Sequence, residues 1–205
     1  SEIVSAPDLI RSMKRHRISR ALVRITPENL DSDVTLSNAK LLAACRKNRA
    51  LIPCPVMVPA TAGDLEPEWK LAANFIRAGA GAVTIRPAAD GWMIADWLSD
   101  PLFKVLQDRR LPLVCLQRMV PFDALAKLAQ RFPRLPIILA ECGYRDQRIL
   151  LPLLEAFATI HLSIGNNYVV HGGLEQIAAR VGATRLIFGT HFPVSEPATA
   201  IGYLM

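Results

Sequence analysis

Arg185-Leu186-Ile187-Phe188-Gly189-Thr190-His191-Phe192-Pro193 is the stretch whose reading decides the fold. It reads as a short buried strand that ends in a tight glycine turn and opens into a loop. Just upstream, residues 174–181 carry helical periodicity and Gly182 is placed to cap that helix. Helix, then apolar strand, then loop: the same alternation recurs along the rest of the chain.

Working outward, apolar runs predict strands at 21–26, 51–58, 82–86, 113–117, 137–141, 159–163 and 185–188. Between them, helical spacing predicts helices at 7–16, 36–47, 67–77, 100–110, 123–132, 145–157 and 174–181, with another beginning at 197. Asp100 is the expected N-cap and Pro101 the first residue of its helix, whereas Pro152 is expected to kink or divide its own. Short strands, apolar on both faces and alternating with helices, imply a parallel sheet covered by helices. Seven such units with a trailing eighth helix predict one α/β domain over residues 1–205, a (β/α)8 TIM-barrel-like fold lacking its first strand. The rival is a doubly wound sheet, which would show a glycine-rich phosphate turn after its first strand. None is found: Gly79-Ala80-Gly81 precedes a strand, and Gly165-Asn166-Asn167 reads as a turn.

Composition narrows the function classes. The chain has 205 residues, 51% hydrophobic and 20% charged, which suits a globular domain with a large core. No run of about 18 apolar residues predicts a membrane span, and the residues from Ser1 onward do not read as a signal peptide. Cys45, Cys54, Cys115 and Cys142 are widely spaced with no CxxC pair, which predicts free buried thiols and a cytoplasmic setting. The net charge of +6 is spread over helix ends, as at Lys14, Arg46, Arg77, Arg131 and Arg180, where cations complement the helix dipole. Without a basic stripe or interleaved aromatics, a nucleic-acid partner is not expected.

Four segments together resemble the amidohydrolase-related family of TIM-barrel metal-dependent hydrolases and decarboxylases. Residues 9–26 resemble its opening helix and strand. Leu111-Pro112-Leu113-Val114-Cys115-Leu116-Gln117 resembles its Leu-Pro-Val-x-x-His strand five. Phe132 to Gly143 resembles the strand-six segment ending Ala-His-x-Gly, and Val181 to Gly189 the segment Gly-x-Asp-Arg-x-Leu-Phe-Gly. The resemblance implies a metal centre built from a His-x-His on strand one, a His each on strands five and six, and an Asp on strand eight. This chain shows no strand-one counterpart before Pro7, and offers Gln117, Glu141 and His191 at the other three positions. The resemblance therefore implies Glu141 and His191 as catalytic residues and as ligands of one divalent metal, zinc first among candidates. Because an amide oxygen such as that of Gln117 is a poor zinc donor, the other reading is a polar pocket without metal, Glu141 and His191 pairing with each other or with arginines.

Alternation along strands adds neighbours to that site, because side chains two apart share a face and barrel chemistry sits at the C-terminal strand ends. Arg24, Thr26, Arg86, Gln117, His161 and Ser163 end their predicted strands, and Arg24, Arg86, Gln117, His161 and Ser163 are the candidates for holding a substrate. An interior arginine is expected either in a salt bridge, with Glu141 the obvious partner, or on an anionic ligand. His161 reads either as a hydrogen-bonded core histidine or as an acid-base residue. Trp92 and Trp97 read as a pocket roof or as packing beneath a loop. No Gly-x-Ser-x-Gly nucleophile motif occurs. Two functions stay open: hydrolysis of a C–N or C–O bond or decarboxylation of a small carboxylate-bearing substrate, and a non-catalytic small-ligand-binding or assembly module. Unpaired strand edges and the apolar Ile201, Tyr203, Leu204 and Met205 predict a homodimer.

Overall fold

The computed structural model describes residues 5–25, 33–165, 168–202 and 204. The readings made on Thr26, Asn166, Asn167, Tyr203 and Met205 lie outside them. The chain divides into two compact units, residues 1–112 and 113–205, and each is described by itself.

The first unit runs α1 (Ala6–Arg15), β1 (Ala21–Val23), α2 (Val34–Lys47), β2 (Leu51–Pro53), α3 (Glu68–Arg77), β3 (Val83–Thr84) and α4 (Asp96–Asp108). Ser5 and Asp8 start α1 with a reciprocal capping box, and Asp33 caps α2 through the N–H groups of Thr35 and Leu36. Met13, Leu41, Cys45 and Leu51 form a core against which Leu9, Ile10 and Val23 pack. β1 and β2 are parallel, with Leu22 opposite Ile52. The strand expected over 51–58 is broken into β2 and an isolated parallel bridge between Val56 and Thr84. Pro53 and Pro55 are the cause, since neither has an N–H to continue a ladder. Asn38 on α2 compensates: its Nδ2 donates to the Val56 carbonyl at 2.7 Å and its Oδ1 accepts from the Val56 N–H at 2.8 Å.

The start of α4 differs from expectation. It begins at Asp96, so Asp100 is not its N-cap and Pro101 lies inside the helix. Local start signals lost to packing here. Ser99, Leu102, Phe103 and Leu106 form one buried stripe that needs the earlier turn. The Ser99 hydroxyl secures that turn, bonding both the N–H and the carbonyl of Ala95.

The second unit contains β4 (Leu113–Leu116), α5 (Phe122–Arg131), β5 (Ile137–Ala140), a 3-10 turn (Tyr144–Asp146), α6 (Gln147–Ala156), β6 (Ile160–Ile164), α7 (Gly173–Val181), β7 (Leu186–Phe188) and α8 (Pro197–Gly202). Its four strands are parallel and lie side by side in chain order, the order of a barrel segment with no reversal point. Cys115, Leu139, Leu162 and Leu186 fall in one register row across the four strands. The first three of these are fully buried, each removing enough apolar surface to contribute about 1.5–3 kcal/mol for a leucine-sized side chain. α6 runs through Pro152 as one helix, so the proline does not divide it. Pro152 and Arg148 are both exposed, so the carbonyl that loses its N–H partner can turn to water. Arg185 ends a 3-10 turn rather than opening β7. Its guanidinium donates to the carbonyls of Leu154, Phe157 and Ile160, closing the end of α6 onto the start of β6.

Among the described residues no helix is long and apolar enough to cross a membrane. All four cysteines are free and buried.

Candidate functional site

In the second unit, β5 and β7 each end in a residue with left-handed backbone. Glu141 follows β5 with φ 64°, and His191, three residues past β7, has φ 55°. Side-chain alternation stops at such a residue, so the strand pattern no longer fixes where the side chain goes. Here the two are turned toward each other: Glu141 Oε1 lies 3.4 Å from His191 Nε2.

Both turns are held from below. After Glu141, the Asp146 carboxylate accepts from the Gly143 N–H at 2.7 Å and closes the loop into the 3-10 turn. Under His191, the Gly189 N–H donates to the Ile164 carbonyl at 2.8 Å and extends the ladder past β7. The approach is close enough that a Cβ on Gly189 would stand 2.6 Å from Ser163 Oγ, and one on Gly165 would stand 2.7 Å from the Gly189 carbonyl oxygen. Ser195 then donates its N–H to the His191 carbonyl.

The Glu141 side chain is only 8% exposed, and an isolated carboxylate there would be costly. Arg118 neutralises it: its Nε donates to Glu141 Oε2 at 2.7 Å. Glu141 is thus a hub, one oxygen on a guanidinium and the other on an imidazole. Arg118 was not among the sequence candidates, since its partner lies 23 positions away and no local pattern links them. Its adjacency to Gln117 at the end of β4 was the available signal.

Gln117 donates its N–H to the Ala140 carbonyl, which sets its backbone alongside the end of β5. His161 stands opposite Ile138, one position out of step with the Leu139–Leu162 row, so alternation places it on the other face. Its Nδ1 lies 3.2 Å from the Thr159 carbonyl, at the start of its strand rather than the end. Ser163, on the same face as His161, packs on Gly189. Cys142, beside Glu141, is not equipped as a nucleophile. Burial pushes its thiol pKa up, and the charges of Asp146 and Glu141 push it the same way.

In the first unit, Arg86 is buried and paired with Asp90, not with the expected Glu141. Nε and Nη2 reach Asp90 Oδ2 and Oδ1 at 3.2 and 2.6 Å. The Asp90 N–H donates to the Arg86 carbonyl, and this single turn makes the i, i+4 pairing possible. Burial raises the Asp90 carboxyl pKa even against the charge of Arg86. Arg24 is half-buried near Cys54, where its charge works against the burial that pushes that thiol up to about 12. Trp97 is 76% exposed and so does not pack beneath a loop. Trp92 is half-buried.

The family model described as amidohydrolase matches residues 27–204. The chain belongs to the amidohydrolase family. No curated protein matches the chain in sequence. Solved structures share its fold. A TIM-barrel protein of Bordetella bronchiseptica superposes with a TM-score of 0.73 at 15% identity, covering 98% of this chain and 75% of that one. A 5-carboxyvanillate decarboxylase of Novosphingobium aromaticivorans, crystallised with manganese and 4-hydroxy-3-methoxy-5-nitrobenzoic acid, gives 0.74 at 16% identity, covering 96% and 72%. A 2,6-dihydroxybenzoate decarboxylase from Rhizobium gives 0.72 at 12% identity, covering 98% and 81%. The parallel α/β architecture of the chain is therefore of the TIM-barrel type.

A divalent metal is the cofactor implied by this family, and the described residues do not fit one. Zinc needs about four donors, at least three of them from protein. Among the described residues no group of three or more His, Cys, Asp and Glu is placed to hold an ion. Glu141 has one oxygen on Arg118 and directs the other to His191.

Proposed function

We propose that this amidohydrolase acts on a small carboxylate-bearing substrate at the ends of β5 and β7. The chemistry is loss of CO2 or hydrolysis of a C–N or C–O bond, with His191 moving the proton and Glu141 orienting its ring. The observation that carries this is the buried Glu141 carboxylate 3.4 Å from His191 Nε2, both at C-terminal strand ends.

A carboxylate beside an imidazole fixes the orientation of the ring, as general acid-base work requires. Decarboxylation suits a site with one imidazole better than hydrolysis does. It needs one proton placed on the carbon that releases CO2, whereas hydrolysis needs water activated on one side and a leaving group protonated on the other. That the structural neighbours include decarboxylases of hydroxybenzoates supports the same choice.

The test is turnover of a panel of small hydroxybenzoates followed by CO2 release, with Glu141→Gln and His191→Asn alongside. Turnover by the unaltered chain and its loss in both variants is expected. Turnover unaffected by His191→Asn sinks the assignment.

A second reading, a small-ligand-binding or assembly module without catalysis, is favoured by the engagement of Glu141 with Arg118. Binding of the same acids without turnover supports it. A homodimer in the cytoplasm completes the proposal. The four free thiols suit a reducing compartment, and the exposed Leu22 on β1 and Phe188 on β7 suit a covered edge.

A further inference from the structure

Arg118 is the half of the Glu141 hub whose chemistry is unspent. Its side chain is 52% exposed, while the carboxylate it touches is almost wholly buried. The contact uses Nε alone. Among the described residues the two Nη atoms take no hydrogen bond, so the outer edge of the guanidinium, with its two parallel N–H groups, has no protein partner there. The inner edge is anchored, and the main chain beneath it is fixed. Gln117 is tied to Ala140, and the N–H groups of Met119 and Val120 both return to the Leu116 carbonyl. The head group is thus held by its backbone and by its own Nε.

A guanidinium held in this way is a receptor of defined geometry. The outer edge matches a carboxylate, two N–H groups onto two oxygens. Glu141 offsets the charge of Arg118, so the attraction for a carboxylate comes from the directed N–H groups of the outer edge. Glu141 joins Arg118 through Oε2 and His191 through Oε1, so a ligand on Arg118 and the imidazole are served by the same carboxylate.

We propose that Arg118 is the residue that receives the carboxylate of a small ligand, through its Nη1–Nη2 edge. The inference rests on the proposed site at β5 and β7, but does not require that site to be catalytic.

The test is benzoate binding by titration calorimetry to the whole chain, with neutral benzamide as the control ligand. Benzoate should bind and benzamide should not. Arg118→Met should weaken benzoate by about 10- to 100-fold, the worth of hydrogen bonds to a charged group. Arg118→Lys, which keeps the charge and a partner for Glu141 but loses the fork, should weaken it by several-fold. Arg148→Met, at an exposed arginine on α6, should change nothing. Should Arg118→Met fail to fold, Arg118→Lys decides alone. Benzoate affinity unchanged in whichever Arg118 variant folds, or no benzoate binding by the unaltered chain, overturns the proposal. Failure of the catalytic reading looks different: benzoate binds in an Arg118-dependent way while no acid is turned over. Conversely, turnover that depends on His191 while Arg118→Met leaves KM and benzoate affinity untouched overturns this inference alone.

Discussion

Glu141 and His191 face each other at 3.4 Å from two residues whose backbones are both left-handed, φ 64° and 55°. Neither is glycine. For an L-residue this region costs roughly 1–2 kcal/mol, least for asparagine and most for β-branched side chains. The turns that impose it are secured by Asp146 on one side and by the Gly189–Ile164 ladder bond on the other.

Substitution at His191 should therefore follow backbone preference as well as side-chain chemistry. His191→Asn and His191→Val both remove the imidazole, but the valine variant should be less stable by about 1–2 kcal/mol in urea unfolding. Equal stabilities would show that residue 191 is not held left-handed in solution.

Gly189 is required by Ser163. A methyl at 189 would lie 2.6 Å from Ser163 Oγ, so Gly189→Ala should lower stability by roughly 1–3 kcal/mol, the usual range for overpacking. Adding Ser163→Ala removes the offending oxygen and should restore most of the loss. At Gly165 the obstacle is the Gly189 carbonyl oxygen at 2.7 Å, part of the backbone, so Ser163→Ala should not rescue Gly165→Ala. Thermal unfolding of the four variants separates these outcomes.

Asn38 supplies the donor and acceptor that Val56 lacks in a strand interrupted by prolines. Asn38→Ala leaves a buried N–H and a buried carbonyl without partners, each costing about 1–3 kcal/mol. A drop of several kcal/mol is expected in chemical denaturation. A loss below about 1 kcal/mol would mean that the bridge to Thr84 holds without the clip.

Arg86 and Asp90 are a buried pair whose desolvation outweighs its attraction, as the raised Asp90 carboxyl indicates. Removing Asp90 alone strands a buried guanidinium and should cost roughly 3–5 kcal/mol. Arg86→Met combined with Asp90→Leu should recover most of that. A double-mutant cycle checks it, and additive losses would count against the pairing.

Burial raises the Cys54 and Cys115 thiols from 9.0 to about 12, Arg24 partly opposing the rise at Cys54. The folded state then keeps protons that the unfolded state has released. Stability from these thiols is complete below pH 9.0 and falls as pH rises from there toward about 12, by at most ~1.4 kcal/mol per pH unit per thiol. Replacing both with alanine should flatten the alkaline limb of a stability–pH profile. An unchanged limb would assign it to other groups.

Secondary structure was legible in the sequence because its signals are local. The seven apolar runs became seven parallel strands, and Gly182 caps α7 with φ 91° as its position suggested. Where boundaries moved, a distant contact outweighed a local one. The buried stripe of α4 drew the helix back to Asp96 past Asp100 and Pro101, and α6 continues through an exposed Pro152. Strand ends and a family resemblance could point to Glu141 and His191, but alternation could not orient them. Alternation assumes extended backbone, and both residues have left it. The same assumption grouped His161 with them, although its register sets it near the start of its strand on the opposite face from Leu139. The Arg118–Glu141 pair joins residues on neighbouring strands, and the Arg86–Asp90 pair forms because one turn closes between them. Apolar periodicity reports which face of an element is buried, and so determines the architecture. Which charges meet at its ends depends on loop conformation and on distances between elements, and only the folded chain decides that.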